Sequence, residues 1–213
     1  MYNLLVMTVT TAKYLAELFH EGQTRADKVT PYIEHPKLVA ELVERFGGDD
    51  ESIALAWVHD ILEESADKVQ AYFGFDREID SVARFVMQMR ACHKHSEEWD
   101  TSFMLKLAKL SDHWGSDTLF IKDSGKVAYL SKLLIGADTK VVLVKLCDML
   151  ANITESGGTR MSQEKRYYKA IQCLKMAERK DLDERHEELI AIIEALYHIH
   201  KSKSKGNSRR IQN

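Results

Sequence analysis

The stretch that most constrains the fold is residues 53–62, IALAWVHDIL, in which eight of ten residues are apolar or alanine. These apolar residues do not keep to one face, and a helix that is apolar all round is a buried helix. His59 and Asp60 nevertheless stand side by side near its end. A buried carboxylate needs a positive partner, because stripping it of water is costly. The stretch therefore predicts a buried helix that carries a polar site.

Two further acids follow this pair. Glu63 lies one helical turn beyond His59, and Glu64 lies one turn beyond Asp60. At 3.6 residues per turn, all four side chains are expected on one side of the helix. This pattern favours a metal site with His59 and Asp60 as ligands and two acids beside them. A buried His-Asp ion pair without a metal is the alternative that spacing alone leaves open.

Two other segments supply matching polar residues. Pro36 suits the first position of a helix over residues 36–46, which places His35 at its N-cap and lets it fold back toward His59. Residues 141–153, VVLVKLCDMLANI, predict a second buried helix. Its polar exceptions are spaced i, i+3, i+7 and form one stripe: Lys145, Asp148 and Asn152. Two imidazoles and two carboxylates (His35, His59, Asp60 and Asp148) suit one divalent ion of the Mn²⁺, Fe²⁺ or Zn²⁺ kind.

Composition points to a single all-α domain. The chain has 213 residues, a length that is sufficient for one domain with a hydrophobic core. It has only ten Gly and two Pro, which favours helices. We expect the domain to cover residues 1–200, followed by a disordered basic tail over 201–213. A net charge of −3 predicts no nucleic-acid partner, and three widely spaced cysteines indicate a reducing compartment. Residues 4–9 are too short to span a bilayer, so we expect a soluble, cytoplasmic protein without a membrane partner.

Four segments, in this order, resemble the hydrolase domain of the RelA/SpoT family: HEGQTR at 20–25, PYIEHP at 31–36, HDILEES at 59–65 and KLCDMLAN at 145–152. They are similar to the family's HxGQxR, PYIxHP, HDxxED[ST] and KLADRLxN segments. The resemblance covers about residues 11–155, and the short remainder leaves no room for a synthetase domain. The chain is therefore most similar to the stand-alone small alarmone hydrolases of the metazoan SpoT homologue type.

The resemblance implies an HD-domain helical bundle with Mn²⁺-dependent 3′-pyrophosphohydrolase activity on guanosine tetra- and pentaphosphate, releasing pyrophosphate and leaving GDP or GTP. It also implies roles for named residues: His35, His59, Asp60 and Asp148 as metal ligands, Glu63 and Glu64 as the acids that position and deprotonate water, and Asn152 and Arg25 as nucleotide contacts. Phosphoryl transfer otherwise needs positioning and charge neutralisation, which Lys145 and Arg25 can supply.

Three departures from the family pattern affect specificity and leave the metal ligands in place. Glu64 stands where Asp is usual, one extra residue separates Arg25 from Pro31, and Thr154-Glu155 replaces the usual Arg-Thr or similar pair. A phosphohydrolase of another nucleotide, such as NADPH or a dNTP, is therefore one alternative. A non-catalytic nucleotide-binding module is another. The oligomeric state is open.

Overall fold

The computed structural model describes residues 7–73, 101–110, 123–155 and 161–210. Regular secondary structure in these ranges is helical, which confirms the all-α prediction. The helices are α1 (Val9–His20), α2 (Glu34–Arg45), α3 (Asp50–Val58), α4 (Ile61–Glu64), α5 (Ala66–Phe73), α6 (Thr101–Leu110), α7 (Asp123–Gly136), α8 (Thr139–Glu155), α9 (Met161–Met176) and α10 (Glu184–Arg210). Among the helices described, none has the length and apolar character needed to cross a membrane.

The chain forms two compact units, Met1–Ile121 and Lys122–Asn213. A single domain over residues 1–200 stays a prediction. The last helix, α10, continues to Arg210, into the segment that we expected to be a disordered tail. Residues 79–89, whose sequence has a helical period, lie outside the described ranges, and so do His93, His95 and His113, which the sequence places in polar loops.

In the first unit, α1 and α2 both pack against α3. From Ile53 to its end, α3 is apolar on every side, and Ala54, Leu55, Ala56 and Val58 are fully buried. Burying a side chain the size of leucine or valine contributes about 1.5–3 kcal/mol each, so this helix organises the unit. The prediction of a buried helix from residue 53 onward is confirmed at these positions.

A tight turn joins α2 to α3. Gly47 has φ 71°, which favours glycine, and the Asp49 carboxylate caps α3 by accepting a hydrogen bond from the Ser52 amide at 3.0 Å. Helix α2 begins at Glu34, two residues earlier than the predicted start at Pro36, with Ile33 at the N-cap. The prediction that His35 is the N-cap is therefore wrong, because His35 lies inside the first turn of the helix.

The predicted continuous helix over residues 53–62 is also wrong, because the chain breaks at His59 and Asp60. Helix α3 ends at Val58, and Asp60 has φ −116° and ψ 3°, outside the helical region. The Asp60 carbonyl then accepts hydrogen bonds from the amides of Glu63 at 3.0 Å and Glu64 at 2.9 Å, which begins α4. The break presents two successive polar side chains at the end of a buried helix.

In the second unit, α8 packs against α10, and α7 packs against α9. Between Val141 and Ile153 every residue of α8 except Asn152 is buried. This confirms the prediction of a buried helix over residues 141–153. Such a helix tolerates polar side chains only where they find partners within the protein.

Candidate metal centre

Two histidines of the first unit face each other. His35 lies in the first turn of α2 and His59 directly after α3, with 2% and 3% of their surfaces exposed. Their ring centroids are 5.3 Å apart in an edge-to-face arrangement. One ring nitrogen of His35 lies within 4.8 Å of a ring nitrogen of His59. The tertiary structure thus brings together one imidazole in α2 and another at the end of α3.

The hydrogen bond of His59 selects the tautomer that binds metals. Its Nδ1 atom lies 2.8 Å from the Ala56 carbonyl oxygen, which can only accept. Nδ1 therefore carries a proton, and in the neutral ring the lone pair lies on Nε2. Metal-binding histidines commonly donate their other N–H to a backbone carbonyl in this way. Nε2 in turn lies 3.8 Å from Asp60 Oδ2.

Asp60 is buried, and its two carboxylate oxygens have different surroundings. Oδ1 lies 3.2 Å from His20 Nε2, whereas Oδ2 is buried without a hydrogen-bond partner in the described part of the chain. Burial raises the pKa of Asp60, but the neighbouring His59, His20 and His35 outweigh it and hold that pKa below its usual range. The group is therefore an ionised carboxylate with an unpartnered oxygen.

An unsatisfied buried acceptor costs about 1–3 kcal/mol, and more when it is charged. A cation bound next to Oδ2 would remove this cost. The donors around it are imidazole nitrogen and carboxylate oxygen, which suit Mn²⁺, Fe²⁺ or Zn²⁺. His35, His59 and Asp60, the candidate ligands of the first unit, therefore offer donor atoms of the types that suit a divalent metal ion.

The acidic pair lies in α4. Glu63 is partly buried and Glu64 is exposed, and both backbone amides bond to the carbonyl of Asp60. The short helix therefore starts from the candidate ligand Asp60 and carries both carboxylates within its first turn. Glu64 follows Asp60 by one helical turn, as predicted. The helix that contains Glu63 and Glu64 is not continuous with α3.

The second unit contains three of the predicted site residues, which form one connected stripe on α8. Lys145 Nζ lies 2.9 Å from Asp148 Oδ2, and Asn152 Nδ2 donates to Asp148 Oδ1 at 2.6 Å. Lys145 and Asp148 are both buried, so each charge compensates the other. The predicted i, i+3, i+7 stripe is present as a hydrogen-bonded chain.

Arg25 lies on the loop between α1 and α2. This loop is closed by an isolated antiparallel bridge between Thr24 and Pro31, and the Arg25 amide donates to the Thr30 carbonyl at 2.8 Å. The guanidinium lies over the ring of Tyr32, 5.2 Å from its centroid, in a cation–π contact. Arg25 is thus held at the loop by its side chain as well as its backbone.

Sequence reasoning assigned no role to His20 and Tyr32, which the structure brings to this centre. His20 is buried, reaches Asp60, and stacks on Tyr32 with ring centroids 4.6 Å apart and an interplanar angle of 21°. Burial, followed by the charges of Asp60 and Glu64, raises the pKa of Tyr32 far above its usual range. Both residues stand in the family-like segments at 20–25 and 31–36, which was the available signal.

The described residues form an all-α fold that buries a pair of histidines beside an ionised aspartate, and these donor types suit a divalent metal ion. The chain matches the family model described as HD domain over residues 12–182. It belongs to the HD domain family.

Curated relatives support the same relationship at low identity. The chain is 28% identical over 136 residues to a probable guanosine-3′,5′-bis(diphosphate) 3′-pyrophosphohydrolase of Synechocystis sp., covering 62% of this chain and 14% of that protein. It is 26% identical over 152 residues to the guanosine-3′,5′-bis(diphosphate) 3′-pyrophosphohydrolase of Vibrio cholerae, covering 69% of this chain and 18% of that protein. The chain therefore spans less than a fifth of the length of either relative.

A solved structure shares the fold. It is described as a metazoan ortholog of SpoT that hydrolyzes ppGpp and plays a role in starvation responses. The two proteins have a TM-score of 0.54 and 18% sequence identity, with 91% of this chain and 96% of that chain covered. The chain is thus an HD-domain protein similar to ppGpp hydrolases.

Proposed function

We propose that this protein is a Mn²⁺-dependent hydrolase that removes the 3′-pyrophosphate of ppGpp and pppGpp. The observation that carries the proposal is the buried Asp60 Oδ2, unpartnered in the described residues and 3.8 Å from the lone-pair nitrogen of His59. The relatives named as 3′-pyrophosphohydrolases support the substrate, and the four family-like segments support the reaction.

The proposed metal ligands are His35, His59, Asp60 and Asp148. All four residues stand in the family-like segments, and the closeness of His35 to His59 and of His59 to Asp60 supports the first three. His35, His59 and Asp148 are each buried and offer one nitrogen or oxygen ligand atom. A bound divalent cation would lower the pKa of water and polarise the phosphate ester. Mn²⁺ is the proposed ion, and Fe²⁺ and Zn²⁺ share the same donor preference.

The chain's own residues are proposed to position the reactants and move the proton. Glu63 and Glu64 orient a water molecule and accept its proton as the water oxygen bonds to phosphorus. The bond from phosphorus to the ribose 3′ oxygen then breaks, and the 3′ oxygen takes up a proton, so that pyrophosphate is released and GDP or GTP remains. Lys145 and Arg25 neutralise phosphate charge, and Asn152 holds the nucleotide.

The decisive experiment measures pyrophosphate release from ppGpp in the presence of Mn²⁺ and after EDTA is added. Release that depends on Mn²⁺ and is lost in His59→Ala supports the proposal. Glu63→Gln is expected to bind Mn²⁺ and nucleotide but to lose turnover, because the amide cannot accept the proton. Intact ppGpp in the presence of bound Mn²⁺ would contradict the proposed substrate. A screen of NADPH and dNTPs then separates another hydrolase from a binding module.

A further inference from the structure

A hydrogen-bonded side-chain bridge connects Gln23, His20 and the candidate ligand Asp60. It begins at Gln23, whose Nε2 atom donates to the Glu64 carbonyl at 2.9 Å and to Ser65 Oγ at 3.1 Å. Because a carbonyl oxygen only accepts, this contact orients the Gln23 amide with nitrogen toward α4 and oxygen toward His20.

His20 continues the bridge. Its Nδ1 atom donates to Gln23 Oε1 at 2.8 Å, because an amide oxygen carries no proton. On the other side of the ring, Nε2 lies 3.2 Å from Asp60 Oδ1, which accepts its hydrogen when both ring nitrogens are protonated. The His20 side chain is fully buried, and its face is stacked on Tyr32, so the ring is held in plane as well as at both edges.

Ser65 ties the far end of the bridge to α1. Its hydroxyl donates to the Phe19 carbonyl at 2.9 Å, next to His20 in the chain. These hydrogen bonds form a closed ring that connects α1, Gln23 and the end of α4. Asp60 and Glu64 are therefore connected by two routes. One route passes through His20 and Gln23, and the other is the hydrogen bond from the Glu64 amide to the Asp60 carbonyl at 2.9 Å.

We propose that His20 and Gln23 are positioning residues of the metal centre. His20 engages Oδ1 of Asp60 and so turns Oδ2 toward His59, while Gln23 keeps α4 and its acidic pair in register with that carboxylate. The inference rests on the proposed function in one respect, that Asp60 binds the metal. Removing partners that orient a metal ligand typically costs about 10–100-fold in metal affinity or activity.

The test measures the Mn²⁺ affinity of the metal-free full chain by titration, with free Mn²⁺ followed by electron paramagnetic resonance. Two His20 variants separate the two ring contacts. His20→Asn keeps a polar group near the Nδ1 position but cannot reach Asp60, whereas His20→Gln places a donor near the Nε2 position. We expect about 10–100-fold weaker Mn²⁺ binding for His20→Asn and a loss of no more than a few fold for His20→Gln.

The matched control is His186→Asn in the second unit. His186 is equally buried, with Nδ1 2.7 Å from Asp183 Oδ1 and Nε2 3.0 Å from the Thr139 carbonyl. This variant is expected to unfold at lower temperature while its Mn²⁺ affinity stays unchanged. A purely structural His20 would instead make both His20 variants behave like this control.

Gln23→Glu tests the other half of the bridge. The new carboxylate still accepts from His20 Nδ1 but cannot donate to the Glu64 carbonyl. We expect nearly unchanged Mn²⁺ affinity and a lower kcat with unchanged KM, because only the register of the acidic pair is disturbed. Since Gln23 is only partly buried, this variant also keeps the proposal testable if the His20 variants fail to fold.

Three results are decisive. Equal Mn²⁺ affinity of wild type, His20→Asn and His20→Gln overturns the role of His20, and an unchanged kcat in Gln23→Glu overturns that of Gln23. Both results leave the proposed function intact. Failure of the wild-type chain to bind Mn²⁺ refutes the proposed metal centre itself, and the positioning role with it.

Discussion

Replacing Asp60 with asparagine separates the contribution of Asp60 to metal binding from its contribution to the stability of the fold. The substitution keeps the shape of the side chain but removes its charge. The metal-free protein loses a charge-assisted hydrogen bond from His20, which contributes about 1.5–3 kcal/mol, and it is relieved of an unsatisfied buried oxygen, which costs about 1–3 kcal/mol. The two effects are opposite and of similar size. We therefore expect the metal-free Tm of Asp60→Asn to lie close to that of wild type.

Mn²⁺ should then distinguish the two proteins. An ion present at about 100 times its Kd stabilises the folded state by about 2.7 kcal/mol. In a chain of 213 residues each kcal/mol raises Tm by about 2–4 °C, so the wild-type shift is about 5–11 °C. Asp60→Asn should lose most of this shift because a neutral amide is a poor ligand for a hard cation.

The assay is thermal unfolding with Mn²⁺ and with EDTA. Asp67→Asn provides the matched control, since Asp67 is an exposed aspartate of the same unit, and it should keep the wild-type shift. If Asp60→Asn shows the full Mn²⁺-dependent shift, Asp60 is not a ligand and the interpretation of its unpartnered oxygen is refuted.

Gly48→Ala should lower the free energy of unfolding by about 1–3 kcal/mol in urea titrations, because the added Cβ would crowd a Val43 methyl group and lie 2.9 Å from the Val43 carbonyl oxygen; an unchanged midpoint would argue against this packing. Asp27 should titrate with a pKa of about 2 by NMR, because the Thr30 hydroxyl and the amides of its loop bond to the ionised form, and Thr30→Val should raise that pKa toward 3.8. The hydrogen bonds to ionised Asp27 stabilise the loop above pH 3.8, and this stabilisation is lost as the pH falls through about 2. Amide chemical shifts of the loop that do not change as the pH passes through about 2 would contradict this prediction. Cys147 should resist alkylation at pH 8 until urea unfolds the chain, because burial and then the charge of Asp148 raise the pKa of its thiol; site-resolved mass spectrometry detects the labelling, and rapid native modification would show that the thiol is accessible.

Local patterns predicted much of the helical framework. The all-round apolar character of residues 53–62 and 141–153 predicted two buried helices, because a buried helix has no face that needs to be polar, although the first helix ends at Val58. The stripe of Lys145, Asp148 and Asn152 was predictable for the same reason, since i, i+3 and i+7 positions are neighbours on any helix. The break at His59 and Asp60 was not, because no glycine or proline marks it.

The sequence by itself determined the all-α class, the main buried helices and the residue types of a metal site, because these depend on composition and on spacings within one or two helical turns. Only the tertiary structure decided which oxygen of Asp60 has a partner, since that partner, His20, lies 40 residues away in the chain. Their contact depends on the loop closed by Thr24 and Pro31 and on the packing of α1 against α3. Neither is encoded in a local period, so the pairing of distant polar groups emerges only when the whole unit has folded.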